Sequence, residues 1–200
     1  MREGQTDLTA ADQTARIFAA DGRLRTIRDR RGNKTELTYD YFPPSGGIEG
    51  GYLLTRVTGP TGLRWLDFGY ENLPPGEGSE GGWRLVEVRD SAGRAVGYGY
   101  DAVGDLTVVT DTAGLAWTYT YTGSHLLHEV LDPAGNLVER TDYDATGRAV
   151  YQEDGAGIPL ALAYDEHATT VAEAGRERIH QYDFFGALVG PVDPAGETQA

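Results

Sequence analysis

The clearest hydrophobic pattern in the chain is a strict alternation between residues 115 and 121. Alanine or threonine alternates there with four bulky residues, which are Leu115, Trp117, Tyr119 and Tyr121. A period of two predicts a β-strand with one apolar face. The apolar run before it is less regular, because Leu106 and Val109 are three residues apart and share a face only if a bulge lies between them.

An Asp-x-x-Gly pattern precedes each of these two runs. Asp101 and Gly104 come before the first run, and Asp111 and Gly114 separate it from the second. Asp at the first position of a turn accepts hydrogen bonds from downstream amides, and Gly at the fourth adopts positive φ, so each pattern predicts a chain reversal. Nine copies occur, beginning at Asp29, Asp90, Asp101, Asp111, Asp132, Asp144, Asp154, Asp183 and Asp193.

The tyrosines recur with nearly constant spacing. Intervals of 21, 22, 21 and 18 residues separate Tyr100, Tyr121, Tyr143, Tyr164 and Tyr182. Alignment on these tyrosines also brings leucines, valines, aspartates and glycines into columns, which indicates an internal repeat of about 21 residues. We predict structural turn positions at Asp29, Gly32, Asp90, Gly93, Asp101, Gly104, Asp111, Gly114, Asp132, Gly135, Asp144 and Gly147, with the five tyrosines as repeat positions.

The repeat predicts an all-β fold, a repetitive antiparallel meander of β-hairpins. Residues 1–15 lack the pattern and are expected to be a frayed lead-in, and residues 16–200 form the repeat domain. Two stretches rich in Pro and Gly, 41–50 and 72–82, are predicted to be loop insertions. A small β-propeller is the alternative, because two repeats contain about as many residues as one propeller blade.

Composition narrows the range of partners. The formal charge of −14 argues against nucleic acid and against an anionic membrane surface, which would repel the chain. No apolar run approaches the length of a membrane-spanning helix, and residues 1–16 lack the apolar stretch of a signal peptide. Cysteine is absent, which excludes disulfides and thiolate metal sites.

No pattern typical of an enzyme occurs in the chain. Four histidines are present, at positions 125, 128, 167 and 180. His125 and His128 lie three residues apart, so they are expected on opposite faces of a strand, and His125 stands where other repeats have Gly. Each Asp-x-x-Gly turn supplies one carboxylate, whereas a Ca²⁺ loop needs several. We therefore predict no catalytic, cofactor-binding or metal-binding residues.

The aromatic residues allow two interpretations. Tyrosines stacked across strands, with Trp65, Trp83 and Trp117, are typical of cross-strand packing in a sheet. The same residues would also serve as a platform for carbohydrate. Because the tyrosines follow the repeat, packing is favoured, and a sugar site is expected only where one repeat departs from the pattern.

The repeat resembles the YD repeat of the RHS (rearrangement hotspot) family over roughly residues 16–196. The resemblance rests on the order Tyr-Asp, then Gly-x-Leu-x-x-Val-x-Asp-x-x-Gly, then x-Tyr-x-Tyr-Asp. The resemblance implies a long antiparallel sheet that curls into a β-shell and, in toxin members, encloses a toxin domain. Eight repeats are fewer than family shells use. We therefore expect a piece of such a shell, continuing into further repeats or an effector domain of a longer parent protein.

The predicted function is a structural scaffold that encapsulates or displays a toxin or other effector domain. The alternative is a carbohydrate-binding or protein-binding module at a cell surface. The resemblance implies a secreted or cell-surface protein. The apolar segment 184–192 predicts an unprotected sheet edge through which copies of the chain would associate.

Overall fold

The computed structural model describes residues 6–10, 12–75, 81–173, 175–183 and 187–192. Every regular element among these residues is a β-strand, so the all-β prediction is confirmed. The chain divides into two compact units, Met1–Leu115 and Ala116–Ala200. Within the described residues there is no helix long and apolar enough to cross a membrane.

The described part of the first unit contains nine strands. They are β1 (Thr6–Thr9), β2 (Ala15–Phe18), β3 (Leu24–Arg28), β4 (Lys34–Phe42), β5 (Gly51–Thr58), β6 (Trp65–Leu73), β7 (Gly82–Asp90), β8 (Ala95–Tyr100) and β9 (Leu106–Thr110). Each strand pairs antiparallel with the next one in sequence. The unit is thus a meander of consecutive hairpins.

Eight strands lie among the described residues of the second unit. They are β10 (Ala116–Tyr121), β11 (Leu127–Leu131), β12 (Leu137–Tyr143), β13 (Ala149–Asp154), β14 (Pro159–Tyr164), β15 (Ala168–Glu173), β16 (Arg176–Tyr182) and β17 (Leu188–Val192). They too pair antiparallel in sequence order. The predicted antiparallel meander is confirmed, and the propeller alternative is not needed.

Most hairpins whose first strand ends at a repeat tyrosine have a β-bulge just after the turn. Tyr100 lies opposite Leu106 while its neighbour Gly99 lies opposite Val108, so Thr107 is the extra residue. The irregular spacing of Leu106 and Val109 predicted such a bulge. The same shift recurs at Phe18, Tyr121, Tyr143 and Tyr182, opposite Leu24, Leu127, Ala149 and Leu188.

The predicted lead-in and insertions lie at identifiable places in the meander. Within residues 1–15, β1 pairs with β2 through a turn at residues 10–14, in which Gln13 has a φ of 64°. The segment 41–50 connects β4 to β5, and the segment 72–82 connects β6 to β7; residues 76–80 lie outside the described part. The division into lead-in and repeat domain stays a prediction.

Candidate functional site

The repeat turns share one hydrogen-bond pattern. In the copy at residues 111–115, the amide of Gly114 donates to the carbonyl of Asp111, and the amide of Asp111 donates to the carbonyl of Leu115. One oxygen of the Asp111 carboxylate accepts from the amides of Ala113 and Leu115, at 2.8 and 3.0 Å. The aspartate therefore closes the turn with its side chain. The equivalent pairs of bonds occur at Asp29, Asp90, Asp101, Asp132, Asp144 and Asp154.

The fourth turn position has positive φ. Gly114 has a φ of 81°, and the other predicted turn glycines lie between 82° and 95°; these are Gly32, Gly93, Gly104, Gly135 and Gly147. His125 takes this position in the turn at residues 122–126, with a φ of 60°. There the hydroxyl of Thr122 replaces the carboxylate and accepts from Ser124 and Leu126. His125 thus occupies the backbone position that glycine holds in the other repeat turns.

These bonds stabilise the charged form of several turn carboxylates. The side-chain hydrogen bond from Asn33 lowers the pKa of Asp29, and that from Arg94 lowers the pKa of Asp90. Bonds from Thr146 and then Arg148 lower the pKa of Asp144. The turns are therefore most stable at a pH at which the aspartates are ionised.

In hairpins whose second strand carries a repeat tyrosine, the tyrosine hydroxyl joins the two strands at the end away from the turn. The backbone of β7 and β8 pairs only near the turn, from Glu87 to Arg89. Beyond that region the hydroxyl of Tyr100 donates to the carbonyl of Leu85 at 2.8 Å. The same bond joins Tyr70 to Leu54, Tyr143 to Leu127 and Tyr164 to Ala149, at 3.0, 2.7 and 2.7 Å. A phenylalanine would leave that carbonyl without this donor, which explains why the repeat uses tyrosine.

The other two predicted repeat tyrosines also lie at strand ends. Tyr121 lies opposite Leu127 across the bulge of its hairpin. Tyr182 lies opposite Leu188, and its amide donates to the carbonyl of His167 at 2.8 Å. The structure therefore places the five predicted tyrosines at equivalent strand ends, but it does not bring them together into one site.

In each unit the strand register gathers most of the large apolar side chains on one sheet face. In the second unit this face also carries polar residues, because Glu139 lies opposite Val130, and Gln152 and Glu173 lie opposite Leu160. Its apolar residues are Trp117, Tyr119, Tyr121, Leu127, Val130, Tyr143, Leu160, Leu162, Tyr164 and Val171. In the first unit it carries Leu37, Tyr39, Val57, Phe68, Tyr70, Leu85, Val88, Val96, Tyr98, Tyr100 and Val109. The opposite faces carry mainly threonines, charged residues and glycines.

Neither apolar face is covered by a second layer in the described part of the chain. Apart from two glycines, only Ala15 and Thr141 are buried there, at 4% and 5% exposure. The chain exposes 13547 Å², which is about 1.5 times the area expected for a folded monomer of its mass. The apolar faces are therefore available to contact something else.

An aromatic cluster, which we call the insertion cluster, lies next to the two insertions and consists of Phe42, Tyr70 and Trp83. The Phe42 ring lies 4.8 Å from the Trp83 ring and 5.3 Å from the Tyr70 ring, both edge to face. The indole nitrogen of Trp83 donates to the carbonyl of Pro43 at 2.9 Å. Gly82 allows Ile48 to pack against the backbone, since an added Cβ would come within 2.6 Å of the Ile48 side chain.

A pair of exposed tyrosines lies on the hairpin that carries the first insertion. Tyr41 and Tyr52 are 57% and 52% exposed, and their rings meet edge to face at 5.4 Å. The Arg23 guanidinium covers the Tyr52 ring, 3.5 Å from its centroid, and also forms an ion pair with Asp21. The Tyr41 ring is left as the more open aromatic surface.

The remaining polar cluster on the second unit centres on Asp142. Its carboxylate contacts His128 at 3.0 Å and Arg140 at 3.0 Å. Partial burial acts to raise the pKa of Asp142, but the hydrogen bonds from His128 and Arg140 outweigh it and lower the pKa. Among the residues that the structure describes, no three His, Asp or Glu side chains gather in a group that would hold a metal ion.

The sequence comparisons bear on the repeated part of the chain. The family described as RHS Repeat matches residues 82–116 and 100–137. Residues 82–137 are therefore similar to RHS repeats. The match spans β7 to β11 and two of the tyrosine hairpins, so the resemblance based on the tyrosine and aspartate columns is confirmed. No curated protein matches the chain.

The chain is also similar to solved structures. A chain of the Photorhabdus luminescens Tc holotoxin pore, carrying the mutation TccC3-D651A, matches with a TM-score of 0.52 and 13% identity over 94% of this chain. Two crystal structures, TcdB2-TccC3-TEV and TcdB2-TccC3 without its hypervariable C-terminal region, each give a TM-score of 0.48 and 13% identity over 94% of this chain. The chain spans 12% of the length of each of these matched chains.

Two parts of this arrangement could not be predicted from the sequence. The bonds from tyrosine hydroxyls to leucine or alanine carbonyls join residues 15 or 16 positions apart, and the constant offset between the tyrosine and leucine columns was their only signal. The insertion cluster had a weaker signal. Phe42 and Trp83 adjoin the two Pro-rich and Gly-rich insertions, but nothing in their spacing indicated contact.

Proposed function

We propose that the chain is a non-catalytic scaffold that forms part of an RHS shell and encloses or displays a toxin or other effector domain. The observation that supports this is the uncovered apolar face of each unit. A single-layer sheet leaves such a face in water unless another chain segment covers it, and exposed apolar areas of this kind mark interaction surfaces. The fold shared with the TccC3-containing toxin structure is consistent with the proposal.

The test is protection of a second polypeptide. The protein is produced at its natural length in its native host and treated with a low dose of protease, and the fragments are identified by mass spectrometry. Enclosure predicts that a region outside the repeats, or a co-purified effector, resists digestion. The double variant Tyr143→Phe/Tyr164→Phe loosens two hairpins, so that the same region should be cut faster than in Tyr119→Phe. Enclosure would be contradicted if that region were digested equally fast in the unmodified protein, the double variant and Tyr119→Phe.

The scaffold also has an exposed strand near the end of the described chain. Leu188 and Val189 on β17 are 56% and 65% exposed, and β17 pairs with β16 on one side. Part of the predicted edge, residues 184–186, lies outside the described residues. Further repeats or a second copy would pair with such an edge. Light scattering at micromolar concentration should therefore show association, which Val189→Lys reduces.

A second candidate function is carbohydrate binding at Tyr41, because the exposed tyrosine pair lies where one repeat departs from the pattern. The open Tyr41 ring offers a stacking surface, and its neighbour Tyr52 is covered by the Arg23 guanidinium. Saturation-transfer NMR against a glycan panel tests it. Tyr41→Ala should abolish transfer to any bound glycan, and Leu63→Ala, at a residue that is 80% exposed elsewhere in the unit, should not. Either function would place the protein outside the cell or at its surface.

A further inference from the structure

The turn region of the hairpin of β3 and β4, residues 23–34, has a charge opposite to that of the rest of the protein. Residues 23–34 contain six cationic side chains and one carboxylate, a net charge of +5, in a chain whose total is −14. The remainder therefore carries −19. Because surface charges act over about 10 Å at 0.1 M salt, this hairpin presents a local positive potential within an acidic surface.

Five of these cations have no ion pair in the described part of the chain. Arg23 pairs with Asp21, but no salt bridge involves the other five, all of which are exposed; they are Arg25, Arg28, Arg30, Arg31 and Lys34, and we call them the basic hairpin. The neighbouring carboxylate of Asp29 is occupied by the amides of Arg31 and Asn33 and by the Asn33 side chain. It is not paired with a guanidinium.

The register adds an unfavourable contact within the basic hairpin. Arg28 on β3 lies directly opposite Lys34 on β4. Like charges at directly opposed positions of an antiparallel pair repel each other. Elsewhere the same kind of cross-strand position is complementary, as where Arg56 lies opposite Asp67 and binds both of its carboxylate oxygens. An anionic ligand would relieve the repulsion between Arg28 and Lys34.

The placement of the charges restricts the ligand. Arg25 and Arg28 lie on β3, Arg30 and Arg31 in the turn, and Lys34 at the start of β4, so the charges are spread over about 20 Å rather than gathered around one point. A single phosphate would contact only part of this row. A long polyanion would extend beyond it over a surface with a charge of −19. Guanidinium groups bind carboxylates through two parallel hydrogen bonds.

We infer that the basic hairpin is a docking surface for a short, strongly acidic polypeptide segment. Successive carboxylates of the segment pair with the arginines and with Lys34. This surface is separate from the apolar faces and from the exposed tyrosine pair, so its failure would leave the proposed scaffold function unaffected.

The test uses the full chain and fluorescence anisotropy with a labelled octaglutamate, and octaglutamine as the uncharged probe. Octaglutamate should bind, octaglutamine should not, and the affinity should fall as salt is added. The triple variant Arg28→Gln/Arg30→Gln/Lys34→Gln should bind about tenfold more weakly, since each surface pair contributes modestly. The matched control Arg64→Gln/Arg176→Gln/Arg178→Gln removes three exposed charges elsewhere and should change affinity less than about twofold.

Further measurements decide the identity of the ligand. Circular dichroism checks that both triple variants are folded, and the single turn variant Arg30→Gln replaces the triple if it is not. No binding of octaglutamate, or equal loss in the two triple variants, would overturn the inference. Tighter binding of a short DNA duplex, of inorganic phosphate or of phosphatidylserine vesicles would overturn it too. If the chain self-associates and the triple variant of the basic hairpin abolishes that association, the surface binds a second copy instead.

Discussion

The hydroxyl of Tyr164 donates a 2.7 Å hydrogen bond to the backbone carbonyl of Ala149, where β13 and β14 no longer pair through their backbones. A side chain therefore does at the open end of the hairpin what a backbone amide does near its turn. Both groups are half-buried, so loss of the donor leaves an acceptor with incomplete access to water. The contribution of such a bond is set by that cost.

Replacement of Tyr143 or Tyr164 by Phe should lower the free energy of unfolding by about 1 kcal/mol each, because each change removes one donor and little apolar area. Urea denaturation followed by circular dichroism measures the effect. Tyr119→Phe is the matched control, since no hydrogen bond of its hydroxyl occurs within the described residues. Equal effects at positions 119 and 164 would show that ring packing, rather than the hydroxyl, decides the repeat position.

Gly114→Val should destabilise the chain by about 1 kcal/mol or more, because a β-branched residue is strained at positive φ. Space is not the cause, since an added Cβ at Gly114 would meet nothing within 4 Å. Gly123→Val is the control, as Gly123 is equally open and is absent from the residues with positive φ. Thermal melting of the two variants separates backbone strain from a general cost of valine in a turn. Identical melting temperatures would contradict the turn assignment.

Low pH should lower the free energy of unfolding, because it protonates the turn aspartates. Their pKa values are lowered in the folded state, so the folded chain binds fewer protons than the unfolded chain. The stability they contribute is present above the unfolded value of about 3.9 and is lost as the pH falls through the lower folded values. For Asp21, where the Arg23 side chain lowers the pKa to about 2, the loss continues to that pH.

Asp144→Asn should make this acid dependence shallower, because asparagine keeps an acceptor oxygen but does not titrate. Urea midpoints measured from pH 5 down to about pH 2 give the slope. Asp40→Asn on β4 is the control, since the Asp40 side chain makes no turn hydrogen bond in the described structure. A slope unchanged by Asp144→Asn would show that other carboxyls cause the acid sensitivity.

Gly82→Ala should disrupt the insertion cluster. Gly82 has a φ of 107°, and the new methyl group would meet the Ile48 side chain at 2.6 Å. We expect a loss of roughly 1 to 3 kcal/mol, mainly from backbone strain at positive φ, because the end of the Ile48 side chain can move away from the new methyl group. Tryptophan emission should also shift to longer wavelength as Trp83 loses its contacts with Phe42 and Pro43. The control is Gly51→Ala, where an added Cβ meets nothing. An unshifted spectrum would mean that the insertions do not depend on this close approach.

The turns and the meander were predictable because both are local. Asp111 and Gly114 specify their reversal within five residues, and the mismatch between Leu106 and Val109 signalled a bulge. The bond from Tyr164 to Ala149 depends on how far two strands separate after the last paired residues, and no residue pattern encodes that separation. The contact of Phe42 with Trp83 joins two insertions whose own sequences have no periodicity. The charge of the basic hairpin was visible in the sequence, but the opposition of Arg28 and Lys34 required the register.

Within each unit, every strand pairing described joins strands that are neighbours along the chain. A hairpin therefore has its partner as soon as the next repeat has been synthesised, and no early strand has to wait for a distant one. Chains with such local contacts fold quickly, and linear repeats propagate order from one unit to the next. We expect each unit to assemble in order as it leaves the ribosome, so that a shortened chain would lose its last hairpins and keep the earlier ones.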